Sequence, residues 1–299
     1  MTFKTTASVA AGPANIDHKT VEGFGEEWAA YDQTAMTEEE WHGHFAGYFS
    51  VFPWHQLPDN AEGFDLGCGS GRWATGVAPR VGTLHCVDPS DKALAVAKRR
   101  LADCGNVHFH HAGVDAIPLA DASQDFGYSL GVLHHIPDTT AALAACVRKL
   151  KPGAPFLVYL YYAFDNRPAW FRAIWKVSDV LRLGISRLPF GLRKAVTTGI
   201  AVAVYWPLAR LARIASEWGI KTDNFPLNSY KDYSFYTMRT DALDRFGTRL
   251  EQRFTRREIQ TMMENSGLTA IRFREDIPYW VACGYRQDPL TQHGRSTGP

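Results

Sequence analysis

The chain has 299 residues, of which 45% are hydrophobic, and its 32 basic residues nearly balance its 31 acidic ones. This length allows one large domain, or a core domain with a sizeable insertion, built on a substantial hydrophobic core. Balanced charge provides no global field that would attract nucleic acid, so we expect no nucleic-acid partner.

The five cysteines are widely spaced, and none belongs to a CxxC pair or to a zinc-ligand spacing. We therefore expect reduced thiols in a cytoplasmic protein, and no metal site. The first residues lack the continuous apolar segment of a signal peptide. No run approaches the roughly 18 apolar residues of a membrane-spanning helix, although the protein could still touch a membrane surface.

The predicted elements begin after a small, polar segment at residues 1–20, which we interpret as a flexible leader. Residues 21–60 are dense in aromatic side chains, which favours helices packed over a site. From residue 61, short apolar strands alternate with helical segments, a pattern typical of a parallel sheet with crossover helices. We predict strands at 63–66, 82–88, 107–111, 126–130 and 154–161, with helices at 91–101 and 139–150.

This alternation stops at residue 163 and resumes at residue 254. Thr255 and Glu258 have the spacing of a capping box, which predicts a helix that ends at Gly267. Two last strands are predicted at 269–273 and 279–285, followed by a flexible tail at 287–299. Residues 163–253 are therefore an insertion after the fifth strand.

The most specific motif, Asp-Leu-Gly-Cys-Gly-Ser-Gly at residues 65–71, lies between the first strand and the following helix. Alternate glycines let the backbone turn tightly and approach a ligand closely. Asp88 ends the second strand about twenty residues later, where a carboxylate can accept hydrogen bonds from ribose hydroxyls. A dinucleotide is a rival ligand, but Asp65 places a carboxylate beside the loop, which suits an ammonium group and repels phosphate.

With this motif and Asp88, the sequence resembles the class I S-adenosylmethionine-dependent methyltransferases, especially their small-molecule branch, methyltransferase types 11 and 25. The resemblance covers residues 61–162 closely and 254–285 in outline, and it includes segments 113–118, 130–138 and 150–153. It implies an α/β fold: a Rossmann-like, seven-stranded, mostly parallel sheet with helices on both faces. The implied domains are a helical lid at 21–60, a core at 61–162 and 254–286, and an inserted helical cap at 163–253.

The resemblance also implies the cofactor, S-adenosylmethionine (SAM), and methyl transfer to a small, hydrophobic acceptor. The cofactor-binding residues that it implies are Asp65, Gly67, Gly69, Asp88, Val114, Asp115 and Gly131.

A base assists methyl transfer when the nucleophile is a hydroxyl, an ammonium or an acidic carbon. His134 is the catalytic candidate, because the resemblance places its segment beside the reacting methyl and imidazole titrates near neutral pH. The alternative is that His134 and His135 are both structural. The remaining histidines have no acid or cysteine that would complete a metal site.

Acceptor binding is expected from the aromatic N-terminal region and the insertion. Ten basic residues and three acidic ones lie between positions 163 and 221, together with an apolar run at 199–206. This composition favours a cap over a lipophilic substrate, a face on an anionic membrane, or simply a one-sided helical lid. The aromatic candidates for the acceptor site are Trp28, Tyr161, Tyr162, Trp170, Trp206, Tyr230, Tyr233 and Tyr236.

Two other functions remain open at this point. SAM could itself be the substrate of a cyclisation that releases methylthioadenosine. The chain could also be a SAM-binding protein without catalytic activity, although the intact loop at 65–71 argues against this reading.

Overall fold

A computed structural model describes residues 14–276 and 279–288. Its sheet has seven strands in the order β3-β2-β1-β4-β5-β7-β6, and β7 runs antiparallel to the other six. The prediction of a mostly parallel, Rossmann-like sheet is confirmed. The strands are β1 (Glu62–Leu66), β2 (Thr83–Asp88), β3 (Val107–His111), β4 (Phe126–Leu130), β5 (Pro155–Tyr159), β6 (Leu268–Phe273) and β7 (Val281–Arg286).

Helices cover both faces of this sheet, and two separate buried clusters pack against it. The helices are α1 (His18–Ala30), α2 (Glu38–Tyr48), α3 (Ala74–Val77), α4 (Asp91–Arg100), α5 (Thr139–Lys149), α6 (Ala169–Ile185), α7 (Phe190–Ile200), α8 (Trp206–Glu217), α9 (Phe235–Gly247) and α10 (Arg256–Asn265).

Side-chain caps fix where the core helices begin. The hydroxyl of Ser90 accepts the backbone N–H of Ala93 at the start of α4. Thr255 and Glu258 form the predicted capping box at the start of α10, which satisfies backbone N–H groups that would otherwise lack a partner. These helices connect strands whose carboxyl ends meet at one edge, where ligands bind in sheets of this kind.

The N-terminal segment is more structured than predicted. Residues 1–13 of the predicted leader lie outside the described residues, but Asp17 caps α1, which begins at His18. The side-chain amide of Asn15 donates to the carbonyl of Asp138 at 2.8 Å. Residues 14–20 therefore belong to the folded protein and lie against the carboxyl edge of the sheet. Of the predicted tail, residues 289–299 also lie outside the described part.

The insertion between β5 and α10 is helical, as predicted. Helices α7 and α8 are joined through π-helical turns at Ala201–Tyr205, so that Phe190–Glu217 is one continuous helix of 28 residues. Its most apolar 18-residue window has a mean hydropathy of 1.3, and 28% of that window is buried. By length and composition this helix could cross a membrane, which corrects the expectation that no segment approaches a span.

Candidate cofactor and acceptor site

The glycine loop after β1 adopts a backbone that requires glycine. Gly67, Gly69 and Gly71 have φ angles of +76°, +54° and +74°, in the left-handed region. A Cβ on Gly67 would lie 2.4 Å from a methyl carbon of Val132, and a Cβ on Gly69 would lie 3.0 Å from Nε1 of Trp28. The loop is therefore closely packed against the segment after β4 and against α1.

The backbone N–H groups of this loop are largely used within the protein. Gly67 and Cys68 both donate to the carbonyl of Val87, and Gly71 donates to the carbonyl of Cys68. Gly69 donates to the Asp88 carboxylate. Phosphate sites at helix N-termini depend on several free N–H groups. This loop does not offer them, so its geometry disfavours a pyrophosphate, as the sequence predicted.

Asp88 lies at the end of β2 and is 7% exposed. One carboxylate oxygen accepts the Gly69 N–H at 2.9 Å, and the other accepts the Ser90 N–H at 2.8 Å. Burial raises the pKa of Asp88 to about 6. The carboxylate therefore connects the glycine loop to the start of α4 and lines the cleft beside them.

Asp65 lies behind the loop and is absent from the cleft lining. It is 3% exposed, and burial raises the pKa of its carboxyl to about 8, an effect that the charge of Asp88 reinforces. The expectation that Asp65 contacts the cofactor directly stays a prediction. Its carboxyl can influence a cationic ligand through the local field, from beneath the loop.

Val114 and Asp115 were both predicted to bind the cofactor. Val114 is 6% exposed and lines the cleft. Asp115 is not part of the lining, but its carboxylate accepts the backbone N–H of Asn15, which is. Asp115 therefore holds the N-terminal segment over the site, and its contact with the cofactor stays a prediction. The Asp17-x-x-Thr20 spacing is a helix N-cap signal that could have revealed this folded segment from sequence.

Together these elements line an open cleft along the carboxyl edge of β1, β2 and β4. Its floor includes Gly67, Gly69, Asp88, Val114 and Gly131, five of the seven predicted cofactor residues. The other wall comes from the N-terminal segment and α1, which sequence reasoning did not assign to the cofactor: Asn15, Ile16, Asp17, Thr20, Val21, Phe24 and Trp28.

Two adjacent histidines follow β4, and only His135 lines the cleft. Its Nδ1 lies 2.7 Å from the carbonyl oxygen of Leu250, which can only accept, so this nitrogen carries the proton. His134 is completely buried, and its ring stacks on Tyr161 with centroids 3.8 Å apart. Burial holds the pKa of His134 well below its usual range. His134 does not line the cleft, and its role as a base stays a prediction.

The predicted acceptor residues lie in different parts of the molecule. Trp28 lies on the cofactor loop, and Tyr161 and Tyr230 lie in the interior, where each faces an aspartate of α9. Tyr233 lies 4.6 Å from the ring of His44. The remaining residues are peripheral. Tyr162 packs on Phe164 and Tyr279, the Tyr236 hydroxyl accepts the Gln33 N–H, and Trp170 and Trp206 are 49% and 48% exposed.

The exposed position of Trp206 excludes it from an interior acceptor site in this conformation, which corrects that prediction. Trp170 is excluded for the same reason. Both lie on helices of the insertion whose apolar residues face outward. Sequence alone could not separate inward from outward aromatic residues, because the apolar side of these helices faces outward and not toward the core.

The cleft suits SAM in shape and charge. The buried carboxyl of Asp88 is on its floor, and that of Asp65 lies just beneath it. Neither forms an ion pair within residues 14–276 and 279–288. A ligand with a sulfonium and an ammonium group would compensate the charge of Asp88 and favour the ionised form of Asp65. The Trp28 indole over Gly69 adds an aromatic face, which attracts cations.

Comparisons with known proteins indicate a methyltransferase. Residues 64–158 match the model of a methyltransferase domain. The chain is similar to a ubiquinone biosynthesis O-methyltransferase of Aromatoleum aromaticum, at 30% identity over 60% of this chain and 72% of that protein. The corresponding protein of Thiobacillus denitrificans is 29% identical over the same shares. Phosphoethanolamine N-methyltransferase 2 of Haemonchus contortus, solved with SAM, aligns over 87% of this chain and 44% of that one, with 16% identity and a TM-score of 0.47.

Proposed function

Because the chain belongs to the class I SAM-dependent methyltransferases and methylates a small-molecule acceptor, we propose that this acceptor is hydrophobic and is methylated on a hydroxyl oxygen. The relatives named as O-methyltransferases support a hydroxyl. The observation that carries the proposal is the cleft itself, in which the glycine loop, Asp88 and Gly131 lie on one continuous wall.

Within this cleft, each proposed cofactor residue has a separate task. Asp88 would accept the ribose hydroxyls, Val114 would lie against the adenine, and the backbone near Gly131 would meet the methionine end. Gly67 and Gly69 leave room for that approach because they have no Cβ. The bound cofactor supplies an electrophilic methyl group, and the protein's main contribution is to orient the nucleophile toward it.

The insertion forms the acceptor side in this proposal. Its helix α9 packs against α1, which covers the cleft, so the insertion and the lid meet directly above the cofactor site. Tyr161, at the end of β5, donates to Asp244 of α9. An acceptor enclosed between these elements would be shielded from water, which strengthens electrostatic interactions within the site.

We also propose that the outer face of the insertion contacts an anionic membrane surface. Within residues 14–276 and 279–288, all fourteen large hydrophobic residues that are strongly exposed lie between Trp170 and Ile220. Arg172, Lys176, Arg187 and Arg213 are exposed among them. The single acid between residues 166 and 216 is Asp179, which is paired with Arg182 and Arg245. Exposed apolar helices with basic residues are typical of interfacial membrane binding.

A reducing, cytoplasmic environment and a role in small-molecule biosynthesis complete the proposal. All five cysteines are free thiols, and four of them are buried. No group of residues that could hold a metal is found among the described positions.

The proposal is tested with para-hexylphenol, a hydrophobic hydroxyl compound, and with para-hexylaniline as the matched amine. Purified protein is incubated with SAM and each compound, and methylated products are measured by mass spectrometry. We expect methylation of the phenol oxygen. Methylation of the aniline alone would contradict a hydroxyl acceptor, although the enzyme class would stand.

A further inference from the structure

Arg72 brings a positive charge to the cofactor cleft. Among the described residues that line the cleft, Arg72 is the only arginine or lysine, and Asp17 and Asp88 are the only acids. SAM carries one negative group, the α-carboxylate, together with two positive groups, the sulfonium and the ammonium. Opposite charges attract more strongly where protein partly replaces water, so the carboxylate is the group of SAM that fits Arg72.

Arg72 lies at the end of the cleft opposite the proposed adenine position. Helix α1 runs along the cleft, and Asn15, just before its start, is bound to Asp115, the neighbour of Val114. Just after the other end of α1, the side-chain oxygen of Gln33 accepts a hydrogen bond from Arg72 at 3.3 Å. A helix of 13 residues is about 20 Å long. With the adenine at Val114, the methionine part of SAM would therefore extend toward Arg72.

The guanidinium of Arg72 is held in place but is not neutralised. Its Cζ lies 4.2 Å from the centroid of the Trp73 ring, and one terminal nitrogen donates to Gln33. No ion pair found within residues 14–276 and 279–288 includes Arg72. A guanidinium has five N–H donors in a planar fork whose geometry matches a carboxylate. Gln33 uses one of these donors, which leaves the others for a ligand.

Gln33 contacts Arg72 from a turn with an unusual backbone. Gln33 is 4% exposed and has a φ of +66°, in the left-handed region that residues other than glycine rarely adopt. Its N–H donates to the hydroxyl of Tyr236 on α9 at 3.0 Å, and Arg100 donates to the carbonyl of Asp32 beside it. Strained positions of this kind persist where surrounding contacts fix them, and they are frequent at ligand sites. The turn therefore holds the Gln33 oxygen at a fixed point beside the guanidinium.

We propose that Arg72 binds the α-carboxylate of SAM and that Gln33 is a positioning residue that orients the guanidinium for this contact. Two parallel N–H···O bonds to the carboxylate would fix the methionine end of the cofactor. The sulfonium connects the methionine part of SAM to its ribose. Contacts at Arg72 and Asp88 would therefore fix the sulfonium from both sides and direct its methyl group.

The test compares two ligands, S-adenosylhomocysteine and its decarboxylated form, which keeps the amine but has no carboxylate. Calorimetric titration measures both ligands with the wild type, Arg72→Gln and the control Arg99→Gln, which removes one positive charge from an exposed position on α4. The wild type and Arg99→Gln should bind S-adenosylhomocysteine about tenfold to a hundredfold more tightly than the decarboxylated form. Arg72→Gln should lose most of this preference. It should bind the decarboxylated form at least as tightly as the wild type does, because no carboxylate contact is lost.

Two further variants separate orientation from general structural effects. Arg72→Lys keeps the charge but not the planar fork, so its preference should be intermediate. Gln33→Met removes the acceptor oxygen at a similar side-chain length and should lower the preference without weakening the decarboxylated ligand. The double variant of Arg72→Gln and Gln33→Met should show the same preference as Arg72→Gln alone, because Gln33 acts through Arg72.

Equal affinity of the wild type for the two ligands would overturn the inference without any variant. A wild-type preference in folded Arg72→Gln would also overturn it, because the carboxylate would then bind elsewhere. If Gln33→Met weakened both ligands equally, Gln33 would have only a structural role, and that part of the inference would be wrong.

Discussion

The backbone N–H of Gly69 donates a 2.9 Å hydrogen bond to the carboxylate of Asp88, so the glycine loop and the end of β2 are held together before any ligand binds. The same carboxylate holds the start of α4 through Ser90. The acid expected to bind ribose is therefore also a structural residue of the loop. Its substitution should affect both the affinity for the cofactor and the stability of the fold.

Asp88→Ala should weaken SAM binding by about tenfold to a hundredfold, because hydrogen bonds to charged groups contribute on the order of 1.5–3 kcal/mol each. It should also lower the melting temperature, since two backbone N–H groups lose their acceptor. Calorimetric titration and thermal unfolding measure the two effects. Asp91→Ala, at an exposed position in the first turn of α4, is the control. Wild-type affinity in folded Asp88→Ala would refute the assignment.

Gly67→Ala should abolish measurable SAM binding. The φ of +76° is strained for alanine, and its Cβ would collide with Val132, which packs against the loop. Gly105→Ala is the matched control, because a Cβ there meets no atom within 4 Å. Equilibrium dialysis with labelled SAM compares the two proteins. Equal binding by both variants would show that the loop does not form the cofactor site.

The stability of the ligand-free protein should depend on pH through Asp65. The pKa of its carboxyl is about 8 in the folded protein, against 3.8 for an unperturbed aspartate. A raised folded pKa means that the unfolded chain loses its proton first, so stability present below pH 3.8 is lost progressively as the pH rises toward 8. Asp65→Asn should remove this dependence. The melting temperature of Asp65→Asn minus that of the wild type should therefore be larger at pH 8 than at pH 5. A difference that is constant with pH would contradict the buried, protonated carboxyl.

Membrane contact should depend on the exposed face of α6. Val177, Val180 and Leu181 are 66%, 69% and 56% exposed and lie on one side of the helix. The triple serine variant should lose co-sedimentation with vesicles that contain phosphatidylglycerol, while SAM binding stays intact. Wild-type protein should bind these vesicles more tightly than vesicles of pure phosphatidylcholine. High salt should weaken its binding to the phosphatidylglycerol vesicles. Equal sedimentation of wild type and variant would show that this face of α6 does not contact the membrane.

The core of the fold could be predicted from sequence because its signals are local. Strands β3 and β4 and the capping box of α10 occur where the apolar pattern and the cap residues indicated. The cofactor loop was equally clear, since positive φ angles at Gly67, Gly69 and Gly71 leave few alternatives to glycine. Five of the seven residues implied by the family resemblance line the cleft.

The features that could not be predicted depend on contacts between segments that are distant in sequence. The binding of Asn15 by Asp115 and Asp138 turns an apparently featureless leader into a wall of the cleft. His134 and His135 are adjacent in sequence, and only the bond from His135 to Leu250 decides which ring faces the cleft.

The identity of the cofactor product tests the central claim most directly. The protein is incubated with SAM that carries a trideuterated methyl group and with para-hexylphenol, and both products are identified by mass spectrometry. Methyl transfer predicts S-adenosylhomocysteine and an equal amount of trideuterated para-hexylanisole. Methylthioadenosine with no labelled anisole would contradict methyl transfer and indicate cyclisation of SAM itself.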